Sequence, residues 1–258
     1  PVSEKETGAA YSAYVLGLAD DALIYSHRLG EWLTWAPALE EDMALANVSL
    51  DLIGQARSLL THVGSLDGTG RSEDDLAYLR DERDFRNVHL VEQRRGDFGQ
   101  EMARMLWFSA YQKALYAALA DSADEQLRAI AAKAHKEVRY HHDHAAQWVV
   151  RLGDGTQESH ERMQAALTWV APFVDELFDD SGAAVAAAVT AGVGALPSSL
   201  RSPAQASVEA VVAEATLTMP ATPKWHSRGG REGVHSEPLG FLLAEMQYLP
   251  RSVPGARW

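Results

Sequence analysis

Two stretches of the chain carry polar side chains at spacings that suit a buried hydrogen-bonding or metal-binding centre. Within 38–63, Asn47, Asp51 and Gln55 recur every four residues, so on a helix they stack on one face. Within 125–152, Glu137, Tyr140, His141 and His144 share a second face, because their separations match the helical repeat. Carboxylates and imidazoles are the donors that iron and other borderline divalent cations take. From Met43 to Ile53 the chain is apolar around nearly its whole circumference, which predicts an enclosed, central helix. An ionised Asp in such a place is costly unless it has partners.

Inward carboxylates on long antiparallel helices are the hallmark of di-iron bundles. Such a site takes a Glu from each of two helices and a Glu-x-x-His from each of the other two. Here Gly54 follows Asp51 where the motif wants a His, and Tyr140 occupies the same place after Glu137. The next long helix has no Asp or Glu between Met102 and Ala120, and the first offers Asp20 and Asp21, of which one should face inward. The ligand set is broken. His141 lies four residues after Glu137, so its ring points about 100° further round than the motif requires. Two readings remain open. One is a mononuclear site from Asp51, Glu137 and His141, serving a metal-dependent oxygenase or oxidase. The other is a vestigial hydrogen-bond network of Asn47, Asp51, Gln55, Glu137, Tyr140 and His141, with Arg57 or Lys113 supplying the counter-charge. The second needs no catalytic, cofactor or metal ligand in this chain. Of His141, His142 and His144, only the first and last can share a ligand. No nucleophile elbow, Walker loop or dinucleotide fingerprint is present.

The elements that position these residues are helical nearly throughout. The apolar period predicts helices over 11–29, ending at Gly30, and 38–63, ending at Gly64. Residues 65–75 read as a loop, 76–85 as a short helix and 87–93 as an extended connection. Helices follow over 98–120 and 125–152, the latter opened by a capping box of Ser122 and Glu125. Another, 160–178, should kink or split at Pro172. Ser202 and Pro203 mark a further start, 218–233 is a long loop, and Ser236 opens a last helix to about Leu249. Strands do not alternate with helices, so one all-α domain over 1–258 is expected: a ferritin-like antiparallel bundle with extra C-terminal helices.

The chain has 258 residues and no cysteine, which excludes disulfides, iron–sulfur ligation and thiolate zinc. A formal net charge of -13 disfavours nucleic acid. No stretch reaches the roughly 18 apolar residues of a membrane span, and PVSEKETGAA lacks the apolar core of a secretion signal, so a cytoplasmic protein is expected.

Four blocks add a resemblance. RLGEWLTWAPALEEDMALANVSLDLIGQAR (28–57), LAYLRDERDFRNVHLVEQ (76–93), KEVRYHHDHAAQWVVRLGDGT (136–156) and HSEPLGFLLAEMQYLPRSVPGARW (235–258) closely resemble the PaaC-type structural subunits of bacterial ring 1,2-phenylacetyl-CoA epoxidase, a phenylacetyl-CoA monooxygenase. The likeness weakens from about Gln157 to Ala215. It implies a non-catalytic subunit of phenylacetate catabolism beside a homologous catalytic subunit, which holds the di-iron centre and epoxidises the ring. It also implies a small accessory subunit and a reductase with FAD and an iron–sulfur cluster, fed by NADPH. No catalytic residue carries over to this chain. The run Glu31-Trp32-Leu33-Thr34-Trp35 and Tyr248, Pro250 and Trp258 are candidate partner contacts, since aromatics are enriched in interface cores. An isolated copy is expected to form homodimers through the surface meant for its partner.

Overall fold

The computed structural model describes residues 4–255, with side chains from Tyr11 onward. Among the described residues there are helices and turns but no strand. In chain order they are α1 (Glu4–Gly30), α2 (Leu39–Leu66), α3 (Glu73–Tyr78), α4 (His89–Glu92), α5 (Phe98–Ala118), α6 (Glu125–Gly153), α7 (Gln157–Val174), α8 (Ala183–Thr190), α9 (Pro197–Glu214) and α10 (Glu237–Ser252). The described chain divides into two compact units. Among the described residues, the first holds those up to Arg94, 182–188 and those from Arg228 on; the second holds 95–181 and 189–227.

The first unit is built on the antiparallel hairpin of α1 and α2. Ser49 Oγ donates to the Ser26 carbonyl at 2.8 Å, and the Tyr11 hydroxyl lies 3.4 Å from His62 Nε2 further along. The turn between them holds Thr34 at a positive φ of 71°, and its N–H donates to both carboxylate oxygens of Asp42. Asp42, Glu40 and Glu41 occupy the first turn of α2, where the helix dipole favours acids. α2 runs two residues past the stop expected at Gly64. That glycine serves packing instead: a Cβ there would stand 2.2 Å from the Arg71 carbonyl oxygen. A capping box of Ser72 and Asp75 starts α3 at Glu73, three residues before the helix expected from Leu76. Residues 89–92 form one helical turn, α4, within the segment read as extended.

α2 is not the enclosed helix that its composition suggested. Leu39, Met43, Leu50 and Ile53 are exposed, while Leu45, Val48, Leu52, Leu59 and Leu60 on the opposite side are buried. The stripe 39, 43, 50, 53 has helical spacing, so a second apolar face looks outward.

The enclosed helix is α5, at the heart of the second unit. Every residue from Glu101 to Gln112 is buried. Asp97 caps it, accepting from the Gln100 N–H at 2.8 Å. α6, α7 and α9 pack against it. α6 buries Leu127, Ile130, Ala131, Ala134, Val138, His141, Ala145 and Val149, a stripe at three- and four-residue spacing. Its cap is Asp124, which accepts from the Leu127 N–H; Ser122, the residue expected there, donates to the Val193 carbonyl. α7 ends at Val174, two residues past Pro172, and tightens into a 3-10 turn over 175–178. The missing proline N–H explains the change of pitch. α9 starts at Pro197, so Pro203 lies inside it and not at its first position.

Candidate functional site

The residues singled out on α2 do not lie at one depth. Asn47 is exposed, Asp51 is half-buried and Gln55 is buried. Beside Asp51, the space around Gly54 is open: apart from its chain neighbours and the adjoining helix backbone, no atom lies within 4 Å of where its Cβ would be. Arg57, a proposed counter-charge, pairs with Glu73 instead, with its side chain 75% exposed. On α6, Glu137 is half-buried and pairs with Lys133 at 3.6 Å. His141 is 2% exposed, whereas Tyr140 is 50% exposed. The Tyr140 ring stacks on His144 at 6.1 Å and meets His141 edge-on at 6.4 Å. α2 belongs to the first unit and α6 to the second. Among the described residues, no three of His, Asp or Glu gather closely enough to hold a metal ion.

The buried charge of the first unit lies elsewhere, on α1 and the segment wrapped around it. Asp20 and Asp21 are both buried, although adjacent helix positions point about 100° apart. One faces residues 80–86 and the other Val88 and Arg231. Arg80 grips Asp20 with both terminal nitrogens, Nη1 donating to Oδ2 at 2.9 Å, and the Arg86 N–H donates to the same oxygen at 2.9 Å. The Arg80 guanidinium lies 4.1 Å above the Phe85 ring. Asp21 accepts from the Val88 N–H at 2.9 Å and from Arg231 Nη2 at 2.7 Å. Burial pushes the Asp21 carboxyl up to about 6, against the pull of Arg231 and the Val88 N–H.

Glu92 anchors the third part of this cluster. Its carboxylate accepts from Asn87 Nδ2 at 2.9 Å and from the Ser236 N–H at 2.6 Å, and it faces His235 Nδ1 at 2.9 Å. His235 Nε2 lies 3.0 Å from the Phe85 carbonyl oxygen. Both ring nitrogens thus face oxygen acceptors. The cluster ties the start of α10 to α4 and α1.

In the second unit, α5 carries Glu101, fully buried one residue before the stretch that lacks acids. Its counter-charge is Arg104, at 3.8 Å on the same helix and also fully buried. Arg104 lies 5.4 Å from the Trp169 ring centre. His142, adjacent to the predicted site, faces Ser207 Oγ at 2.9 Å, and burial together with Lys113 holds its ring below the usual imidazole range.

Residues 2–258 match the family described as phenylacetic acid catabolic protein. The chain is 46% identical, over 247 residues, to the C subunit of 1,2-phenylacetyl-CoA epoxidase from Escherichia coli (strain K12); the match covers 96% of this chain and 98% of that one. The chain belongs to the phenylacetic acid catabolic protein family. The residue types at the di-iron motif positions depart from a Glu-x-x-His ligand set. Gly54 and Tyr140 stand where the motif has imidazoles, and Asn47 and Tyr140 are exposed. The acids that α1 and α5 do bury are met by Arg80, Arg231 and Arg104. Guanidinium groups are always charged and offer no lone pair to a metal.

Sequence reasoning found Asp20 and Asp21 but expected only one to be buried, and it missed Arg80, Glu92, Arg231 and His235. Each of these is joined to a residue far away in the chain, such as Asp21 to Arg231. The signal within reach was the density of charge in LRDERDFRNVHLVEQ (79–93), a segment whose Leu90 and Val91 are fully buried.

Proposed function

We propose that this chain is a non-catalytic structural subunit of a multicomponent phenylacetyl-CoA ring-epoxidising monooxygenase in aerobic phenylacetate catabolism. Its task in this reading is to bind and support a homologous catalytic subunit that carries the di-iron centre. A small accessory subunit and a reductase with FAD, an iron–sulfur cluster and NADPH complete the system. The observation that carries the reading is the arginine set: acids buried on α1 and α5 are met by guanidinium groups, so their charge is balanced by the chain itself. The Escherichia coli relative, which is the C subunit of an epoxidase, supports membership of such a complex.

The exposed stripe of α2 is the candidate contact with the catalytic subunit. Leu39, Met43 and Leu50 are 71%, 60% and 65% exposed, and Trp35 on the preceding turn is 67% exposed. Large apolar side chains at helical spacing and open to water mark a surface that gains by being covered. Trp32 in the same run is buried, Tyr248 at the far end of α10 is 72% exposed, and Trp258 lies outside the described residues.

The test is metal analysis followed by reconstitution. The purified chain, expressed in iron-replete medium, should hold well under one iron per molecule. Glu137→Ala and His141→Ala should leave epoxidation by the reconstituted complex largely intact. Leu50→Glu with Met43→Glu should leave the fold intact and prevent co-purification with the catalytic subunit. Stoichiometric iron lost on Glu137→Ala, together with loss of epoxidation, would refute the proposal.

A further inference from the structure

A cleft of about 800 Å³ opens in the first unit between the last turn of α1, α3 and the C-terminal half of α10. Its volume is within the ~300–1,000 Å³ span of sites that enclose a ligand group. Its apolar lining includes Leu79, Met246, Leu249 and Val253. Leu79 and Leu249 are 55% and 51% exposed, so this apolar lining faces water.

The rim is acidic. α3 opens with Glu73, Asp74 and Asp75, and both aspartates line the cleft. Asp75 is committed to Ser72, accepting from its N–H at 2.9 Å and its hydroxyl at 2.8 Å. Asp74 is exposed, and together with burial it pushes the Tyr78 hydroxyl above its usual range. Arg251, the guanidinium in the lining, is already engaged. Its Nε donates to the Tyr78 carbonyl at 3.0 Å and its Nη2 to the Arg80 carbonyl at 2.8 Å, with Asp81 at 3.3 Å. His27, the imidazole of the lining, is held below its ordinary range by burial and by neighbouring Arg28, which keeps it uncharged near neutral pH. Among the described lining residues Asp74 and Asp75 outnumber the one charged cation, Arg251, so the cleft pairs an apolar lining with net negative charge.

We propose that this cleft is a docking site for a short segment of a protein partner that carries an apolar side chain beside a Lys or Arg. The apolar side chain covers Leu79 and Leu249, and the cation meets Asp74 at the rim. Apolar anchors supply the affinity of such contacts, and rim charges supply orientation and partner choice. The site uses none of the α2 stripe residues, so it can fail while the proposed function stands, and the reverse.

The experiment uses the whole chain and a dye-labelled hexapeptide amide of alternating leucine and lysine, read by fluorescence anisotropy. Two control peptides replace lysine by glutamate and leucine by serine. The leucine–lysine peptide should bind saturably and the controls should not. Leu249→Ser and Asp74→Asn, each checked for folding by circular dichroism, should weaken binding about tenfold and about threefold. Equal binding of the serine–lysine peptide would reduce the effect to plain charge attraction and overturn the proposal, as would absence of saturable binding or unchanged affinity in Leu249→Ser. Sedimentation of the same variants completes the test. A shift from dimer to monomer on Leu249→Ser would assign the cleft to a second copy of this chain, which also overturns it.

Discussion

Replacing Arg80 by Met tests whether the buried acid on α1 depends on its guanidinium. Asp20 is 0% exposed and the Arg80 side chain is 5% exposed, so neither charge has water to fall back on. Arg80→Met keeps the apolar stem over Phe85 but removes two of the three hydrogen bonds to the carboxylate, leaving the Arg86 N–H. Breaking a buried pair by removing one partner costs about 3–5 kcal/mol, because a charge is left uncompensated. For a chain of this size roughly 2–4 °C of melting temperature goes with each kcal/mol, so the midpoint should fall by about 10 °C. Asp20→Asn in the same chain removes the stranded charge while keeping an acceptor for the Arg86 N–H. The double variant should therefore recover about 2 kcal/mol of the loss, a coupling that a double-mutant cycle in urea measures directly. A single variant that costs under about 1 kcal/mol, or a double variant whose loss is the sum of the two singles, would refute the argument that the pair answers a desolvated charge.

Asp21 makes stability depend on pH in the opposite sense from an ordinary paired acid. Its folded value, raised from 3.8 to about 6, means that the folded chain holds a proton the unfolded chain has lost between those pH values. This group's contribution therefore weakens as pH rises through that window, by ~3 kcal/mol in all, and Asp21→Asn should flatten that part of the stability profile. The glycines of α2 give a contrast: Gly64→Ala pushes a methyl group against the Arg71 carbonyl oxygen and should cost about 1–3 kcal/mol. Gly54→Ala meets open space and should raise stability by up to ~1 kcal/mol in urea unfolding. Asp97→Ala removes the side-chain acceptor at the start of α5 and should cost ~1 kcal/mol, read by the same method.

Helix positions were legible because the apolar period is local. α2, α5, α6 and α10 lie within three residues of their expected bounds. α1 ends one residue past its expected end but starts at Glu4, seven residues early, and the splitting of 160–178 after Pro172 follows from one missing N–H. Burial was less legible. The apolar run Met43–Ile53 looks like the inside of a protein whether its second face packs within the chain or awaits another chain, and periodicity does not tell these apart. α5 hid its acid for a related reason: Glu101 stands just ahead of the apolar stretch, and its partner Arg104 is one turn away on the same helix. The broken motif at Gly54 and Tyr140 was readable directly, since it depends only on residue type and spacing. The cluster around Glu92 was not, because its members come from residues 87, 92, 235 and 236, and only the fold brings them together.

The arginines facing Asp20 and Asp21 are covalently part of the polypeptide, and this has a practical consequence for how the chain is made. A bound ion must be delivered by the cell, can be stripped by a chelator or replaced by the wrong element, and holds its helices together only while it is present. Arg80 and Arg231 arrive with translation, in fixed ratio to the acids they face, and stay in place through oxidation and chelation alike. The charge balance of Asp20 and Asp21 is therefore built into the polypeptide and does not vary with the metal supply of the cell.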